Sequence, residues 1–332
     1  MGAVPGLKRP LLGAAVALCF AAPGSFANPT GPTVVNGSAS FATSGSTLTV
    51  TNTPGAIINW QQFSIQQNEI TRFLQQSAAS AVLNRVTSGI PSAILGTLAS
   101  NGRVYLINAS GIAIGRGAMI DVAGFAASTL NLSDADFLAG RNVFQGMGSE
   151  GALVNAGTIR TAEGGHVYLV APKVENQKDA VITSPGGEVF IAAGRTVELV
   201  NARTPDVRVE LTAAGEAVNA GSVVAASGQV GIFGTLVRNS GLVSASRAEV
   251  GPGGKIVFRA SGDTLLEAGA RVEATGDQGG TIQVLGNRVG VFDGASVDAS
   301  GDAGGGTVLV GGDFQGKNAA VPNAARTYVG AG

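Results

Sequence analysis

A double glycine followed by an alternating apolar strand recurs along this chain, and it restricts the fold more than any other feature. The copies are Gly164-Gly-His-Val-Tyr-Leu-Val170, Gly186-Gly-Glu-Val-Phe-Ile191, Gly253-Gly-Lys-Ile-Val-Phe258, Gly279-Gly-Thr-Ile-Gln-Val284 and Gly305-Gly-Thr-Val-Leu-Val310, the last three at 26-residue intervals. A second pattern, Gly-x-x-Val-acid-Ala-small-Gly, occupies Gly269–Gly276 and, 25 residues on, Gly294–Gly301; Gly117–Gly124 fits the same template. Asn-Ala-Gly or Asn-Ser-Gly turns at 155–157, 219–221 and 239–241 punctuate the intervals. Side chains two apart on a strand share a face, so Ile282 and Val284 point one way and Thr281 and Gln283 the other. By the same rule Val272 and Ala274 turn inward while Arg271 and Glu273 meet solvent. Units this short cannot bury an apolar face alone, so they must stack. A period near 22–26 residues without helical periodicity predicts an all-β parallel β-helix, one coil per repeat. Glycine and Asn-Gly corners supply the positive φ angles of tight bends. About a dozen coils, ~4.8 Å apart, predict a rod on the order of 60 Å long.

Composition removes the competing classes. The 51 glycines keep no three-residue period, which excludes collagen, and 45% apolar residues with little net charge argue against disorder. The first 27 residues read as a signal peptide: Lys8 and Arg9 precede the apolar stretch Leu11–Ala22, and Ser25-Phe26-Ala27 offers a cleavage site between Ala27 and Asn28. That stretch falls short of the roughly 20 residues of a membrane span, and no membrane insertion is expected. Without Lys8 and Arg9 the chain has 19 basic and 22 acidic residues, a formal net charge of −3. Such mild, dispersed acidity argues against nucleic acid or anionic membranes as partners. The single cysteine, Cys19, lies within the signal, so the mature chain forms no disulfide.

Residues Asn28 to Ile65 lack the double glycine and hold the only tryptophan, Trp60. With the Ser-Thr alternation of Ser46–Thr51 they are expected to form N-terminal cap strands over one open end of the solenoid. Ser133–Gly140 is expected to form a turn of helix, capped by Ser133 or Asp134, decorating the solenoid. At the far end Arg326–Gly330 begins another strand without a polar cap, and the chain is expected to be a fragment of a longer gene product.

Catalytic equipment is sparse. Gly146-Met-Gly-Ser-Glu-Gly151 has GxGxxG spacing, but the run after it ends at Asn155-Ala-Gly157, leaving no helix to receive a phosphate. Gly311–Lys317 has the glycine spacing of a phosphate loop, but Asn318 stands where a Ser/Thr hydroxyl would hold magnesium. Gly301-Asp302 and Gly312-Asp313 hint at calcium-binding repeats, yet the nonapeptide does not recur. His166, the only histidine, reads as a surface strand residue, and no metal or cofactor is expected. Polysaccharide-cleaving β-helices need carboxylates clustered on one face; here Glu188, Glu249, Glu273 and Asp298 are scattered, and Asp134 with Asp136 is a weak pair.

One region carries a resemblance. It runs through Ile57–Ile65, Arg72–Gln75, Ser77–Arg85, Ile94–Leu98, Asn101–Ile112 and Ala126–Leu130. In these blocks the chain resembles the secretion domain of two-partner-secreted exoproteins, the filamentous-haemagglutinin and high-molecular-weight adhesin class. The resemblance implies a right-handed parallel β-helix with an N-terminal cap. It also implies recognition by the periplasmic domains of an outer-membrane barrel transporter, passage through that barrel unfolded, and folding outside. Asn84, Arg85, Asn101 and Gly102 fall within the matching blocks. The family's Asn-Pro-Asn-Gly-Ile block corresponds to Asn108-Ala109-Ser110-Gly111-Ile112, in which Asn108, Gly111 and Ile112 match and Ala109 and Ser110 depart. Two readings of the block stand side by side: a β-helix corner, or direct contact with the transporter. The expected organisation is a signal peptide at 1–27, a secretion domain at 28–250 and the start of a repeat stem at 251–332. The expected product is a secreted or cell-surface adhesin of a Gram-negative bacterium, reached through the periplasm, with an unidentified surface receptor. A delivery stem for a contact-dependent toxin and a polysaccharide-active enzyme are the alternatives.

Overall fold

The computed structural model describes residues 28–199, 209–212, 215–248, 251 and 253–331, so the expected signal peptide, Ala27 included, lies outside the described residues. One coil shows the plan. Arg103–Ile107 lies in a first wall, Ile112–Ile114 in a second and Met119–Val122 in a third; Gly124–Ser128 then re-enters the first wall. Each strand pairs in parallel with its counterpart in the preceding coil: Gly124 with Arg103, Ile112 with Ser92, Met119 with Thr97. The chain is a parallel β-helix, as the repeats predict.

Alternation fills the interior. Val104, Leu106, Ile114, Ile120, Phe125 and Ala127 are buried between the walls, and each large side chain so placed contributes about 1.5–3 kcal/mol. Val272, Ala274, Ile282 and Val284 are fully buried, while Arg271 is exposed and Glu273, Thr281 and Gln283 are half-buried, as their phase on the strand requires.

The double glycines stand where the third wall turns into the first. Gly164 and Gly186 have φ of +69° and +60°, the conformational role expected of them. The second glycine of each doublet is needed for a different reason. Gly165, Gly187, Gly254, Gly280 and Gly306 stack in successive coils together with Gly228, which follows Ser227, and a Cβ on any of them from Gly187 onward would run into the carbonyl oxygen of the glycine beneath it. At the corner between the second and third walls a polar column forms instead. Asn155 Nδ2 donates to Asn176 Oδ1 (2.8 Å), Asn176 Nδ2 to Asn219 Oδ1 (2.8 Å) and Asn219 Nδ2 to Asn239 Oδ1 (2.7 Å), all four residues being fully buried.

Among the described residues the first wall holds ten strands, from Ala56–Trp60 to Thr307–Val310. That is fewer than the dozen expected, and the stack is about 45 Å long. The difference lies in two excursions. Asn131–Leu132, Asn142–Gln145, Thr196–Leu199 and Val209–Thr212 leave the coil and pair antiparallel as a separate four-stranded sheet. Phe125 consequently pairs with Val167, 42 positions on. The first excursion contains α1 (Asp134–Leu138), with Ser133 as its N-cap. The excursions cover the outer face of the first wall, where Ile57, Leu83, Tyr105, Ala126, Tyr168 and Phe190 line up in register.

The cap is shorter than expected. Thr33–Asn36 pairs antiparallel with the first-wall strand, and Ala39–Ser44 pairs antiparallel with Thr47–Asn52. Thr47–Asn52 and Ala56–Trp60 already pair in parallel with the following coil and belong to the helix. Phe41 of the cap meets Trp60 edge-on at 5.6 Å, and Trp60 meets Phe63 in the same way.

The glycine column yields a paired prediction. Gly280→Ala should lower the unfolding free energy by about 2–4 kcal/mol through forced separation of coils, measured by urea denaturation. Gly305→Ala, where a Cβ meets nothing within 4 Å, should stay within about 0.5 kcal/mol of the parent.

Candidate functional site

Asn108–Ile112 forms the corner between the first and second walls. Asn108 is 1% exposed and uses every polar atom of its side chain. Its Oδ1 accepts the Ser110 N–H at 3.0 Å, an Asx turn, while Nδ2 donates to the Ile90 carbonyl and to Ser92 Oγ, both at 2.9 Å. Gly111, at φ +122°, closes the turn by donating its N–H to the Asn108 carbonyl (3.1 Å). Ile112 is buried in the core. Only Ala109 is exposed, Ser110 is half-buried, and the Ala109 carbonyl accepts the Gly151 N–H of the next coil at 2.8 Å. The three positions that match the family block are thus turned inward, and the two that depart from it face out.

The other matching positions are also placed by structural bonds. Asn84 lies inside the core, where Oδ1 accepts Trp60 Nε1–H (2.9 Å) and Nδ2 donates to the Tyr105 carbonyl (3.2 Å). Arg85 points outward and ties the first excursion to the wall, donating to the Leu132 carbonyl (2.8 Å) and Asp134 Oδ1 (2.7 Å). Asn101 makes a two-point pair with the Gln75 backbone, accepting its N–H (2.8 Å) and donating to its carbonyl (2.7 Å). Gly102 is buried, and a Cβ there would press on the Gln75 side chain. The length of the first-wall strand, about 20 Å, separates Asn101 and Gly102 from Asn108, so these residues do not gather into one cluster. Asp134 and Asp136 do not form a carboxylate pair: the first binds Arg85, the second Arg141 at 2.8 Å.

The structure also holds a groove that the motifs do not announce. It lies between the outer face of the first wall and the first excursion, has a volume of about 750 Å³, and is lined by Arg103, Tyr105, Leu138, Asn142, His166 and Glu198 among others. His166 is not the surface residue expected of it. It is 8% exposed and stacked on Tyr168 with ring centroids 4.5 Å apart. Burial, reinforced by the Arg103 charge, pulls its pKa down to about 3, and its Nε2 has no hydrogen-bond partner. Tyr168 donates its hydroxyl to Glu188 Oε2 (2.9 Å), and burial together with that carboxylate pushes its pKa well above the ordinary tyrosine value. The signal for this region was present in the strands themselves. Arg103-Val-Tyr-Leu-Ile107, His166–Ala171 and Glu188–Ala193 are apolar on both faces, the mark of strands covered on both sides.

Comparison with known proteins agrees with this architecture. The family model of the TPS secretion domain matches residues 25–284. The HMW1 secretion domain of Haemophilus influenzae superposes with a TM-score of 0.83 at 34% identity, over 90% of this chain and 81% of that one. A heme/hemopexin-binding protein of Haemophilus influenzae strain Rd is 35% identical over 175 residues, covering 50% of this chain and 19% of the relative. A second Haemophilus influenzae protein of that name is 43% identical over 77 residues, covering 23% of this chain and 8% of the relative. The chain therefore spans a fifth or less of the curated relatives it matches.

The buried imidazole sets a pH dependence. The unfolded chain binds a proton at His166 near pH 6.5, whereas the folded chain refuses it down to about pH 3. The unfolded state holds more protons in that window, so stability is complete above about pH 7 and falls as the pH drops through it. Nuclear magnetic resonance of the single histidine should show no titration between about pH 5 and 8. His166→Gln should remove about one proton from the pH dependence of unfolding.

Proposed function

The chain belongs to the TPS secretion domain family, and we propose that its task is to be recognised by an outer-membrane barrel transporter, exported, and refolded outside as the first coils of a β-helical stem. The observation that carries this reading is the family match over residues 25–284, on a fold that superposes on a secretion domain along nine-tenths of the chain. The route runs through the periplasm of a Gram-negative cell, where the barrel's periplasmic domains meet the unfolded chain. A signal peptide at 1–27, cleaved between Ala27 and Asn28, delivers it there. Asn28 is tied to the domain: its Nδ2 donates to the Ser46 carbonyl and its Oδ1 accepts the Thr71 hydroxyl, both at 2.9 Å. The secretion domain occupies 28–250 and the stem begins at 251.

Export without ATP outside the cell needs a source of bias, and stepwise folding supplies one. Each emerging coil that buries its Val, Ile and Leu side chains against the last makes return less favourable. For the whole protein the reading is a secreted or surface-held adhesin that meets a host or neighbouring-cell receptor. A toxin-delivery stem is the alternative and differs in what the stem presents. The heme/hemopexin name belongs to relatives of which this chain matches only a small part, so the matched segment is assigned to export. An enzymatic role has little support, since Asp134 and Asp136 are each taken up by an arginine.

In this reading Asn108 and Gly111 act as a corner. Secretion from a heterologous Gram-negative host, with and without a cognate barrel, tests both levels. Release should require the barrel; release without one would overturn the export reading. Asn108→Ala should lower release several-fold and reduce the stability of the released product by about 2–3 kcal/mol, since buried partners are left unsatisfied. Ala109→Lys, on the exposed position, should be released like the parent. Retention of Ala109→Lys in the periplasm would replace the corner reading with direct transporter contact.

A further inference from the structure

Two strands close the N-terminal end of the rod, and they differ as edges. Thr33–Asn36 is broken by a bulge between Val34 and Asn36 and follows Pro32, two features that discourage a further strand from pairing. Ala39–Ser44 has neither. It is regular over six residues, pairs only with Thr47–Asn52 among the described residues, and is the outer strand of the eleven-stranded sheet of the third wall. Charge does not guard it either: the first charged residue after Arg9 is Glu69. From Ser40 to Ser44 every residue is exposed.

The ladder fixes which groups are open. The Thr53 N–H donates to the Ser38 carbonyl (3.0 Å), and Ser44 meets Thr47 across the turn Gly45-Ser46, whose glycine has φ +55°. Bonded pairs alternate in an antiparallel ladder, so Ser40, Ala42 and Ser44 spend their backbone groups on the neighbouring strand. Ala39, Phe41 and Thr43 aim N–H and C=O away from it. Their side chains lie on the core side, because Phe41 is opposite Val50 and Thr43 opposite Leu48, both buried. Phe41 rests edge-on against Trp60 yet stays 37% exposed.

This edge is complementary to itself. An antiparallel register with Phe41 opposite Phe41 of a second copy puts Ala39 opposite Thr43 and Ser40 opposite Ala42. It turns all the outward residues, Ala39, Phe41 and Thr43, of both copies into bonded pairs, each exchanging two hydrogen bonds. A two-fold at Ala42 would instead set Ala39 against Gly45 in the turn. In the register centred on Phe41 small side chains meet small ones, no charge meets its like, and the only large pair is the two Phe41 rings, a favourable cross-strand contact. The two-fold axis makes each of the other contacts twice.

We propose that Ala39–Ser44 is a dimerisation edge, pairing antiparallel with the same strand of a second copy and joining two rods through their N-terminal ends. The proposal concerns the folded chain and does not rest on the export reading.

Sedimentation velocity of the purified chain over about a hundredfold range of concentration should show reversible conversion of monomer to dimer. Amide exchange at Phe41 and Thr43 should slow as the dimer forms, while Ala42, already bonded to the neighbouring strand, should not change. Ser40→Lys places two ammonium groups diagonally across the axis and should weaken association by about tenfold or more. Thr43→Pro removes one outward N–H and no bond of the existing ladder, and should leave only monomer. Both variants should keep the parent's circular dichroism and urea midpoint. A parent that stays monomeric throughout overturns the proposal, as does a dimer that neither variant weakens. Protection of Phe41 that arises only on adding the periplasmic domains of a barrel would assign the edge to them and overturn self-pairing.

Discussion

Parallel strands stack about 4.8 Å apart, and at a sharp corner that spacing leaves no room for a side chain above a carbonyl. Everything regular in this molecule depends on how each corner meets that limit. Where the third wall turns into the first, glycine follows glycine, since a Cβ at Gly187, Gly228, Gly254, Gly280 or Gly306 would strike the carbonyl beneath. Where the second wall turns into the third, the solution is polar: four buried asparagines hand one amide hydrogen bond to the next. The glycine column tolerates nothing larger. The asparagine column is directional, because each rung donates to one neighbour and accepts from the other, and a coil slipped by one residue would lose both bonds.

The same regularity explains why the non-repeating parts matter. A stack with both faces apolar cannot end at its own surface, and the first wall is apolar outside from Ile57 through Phe190. The excursions cover that surface with Leu132, Phe137, Phe144, Val197 and Leu199, and Arg85 anchors the first of them through the Leu132 carbonyl and Asp134. Covering is incomplete beside Arg103, Leu138 and Asn142, and the groove is what remains. Its chemistry follows from place in the fold: the imidazole is neutral because it is buried, and it is buried because the coil beneath it carries a glycine.

Much of the fold was legible in the sequence because the repeat and the alternation report the same geometry twice. Ile282, Val284, Val272 and Ala274 face inward as their phase demanded, and Ser133 caps the expected helical turn. A uniform period implies about a dozen coils, whereas 42 positions separate Phe125 from its partner Val167. Short antiparallel strands such as Asn142–Gln145 have no repeat to betray them. His166 has no Cys or carboxylate cluster around it in sequence, and that isolation alone points to the surface. The strand that holds it is apolar on both faces, which predicts burial on both. The corner motif fared differently. Asn108 and Gly111 were visible as a turn, but that their side chains and φ angles are consumed inside the corner depends on Ser92 and Ile90, a coil away.

Bonds that join coils cannot form until the later coil arrives. Asn155 Nδ2 finds Asn176 Oδ1 only when the following coil is laid down, and the Ala109 carbonyl meets the Gly151 N–H only after the first excursion has been made. The N-terminal end is different. Phe41, Trp60 and Phe63 pack on one another within the first turn and its cap, and Asn84 secures Trp60 from the next. A chain built this way has its lowest ordering cost at the N-terminus and adds stability one coil at a time, with no cysteine beyond Cys19 to lock an intermediate. The geometry that makes the domain a stable rod is therefore the same geometry that lets it form progressively, each coil resting on one already in place.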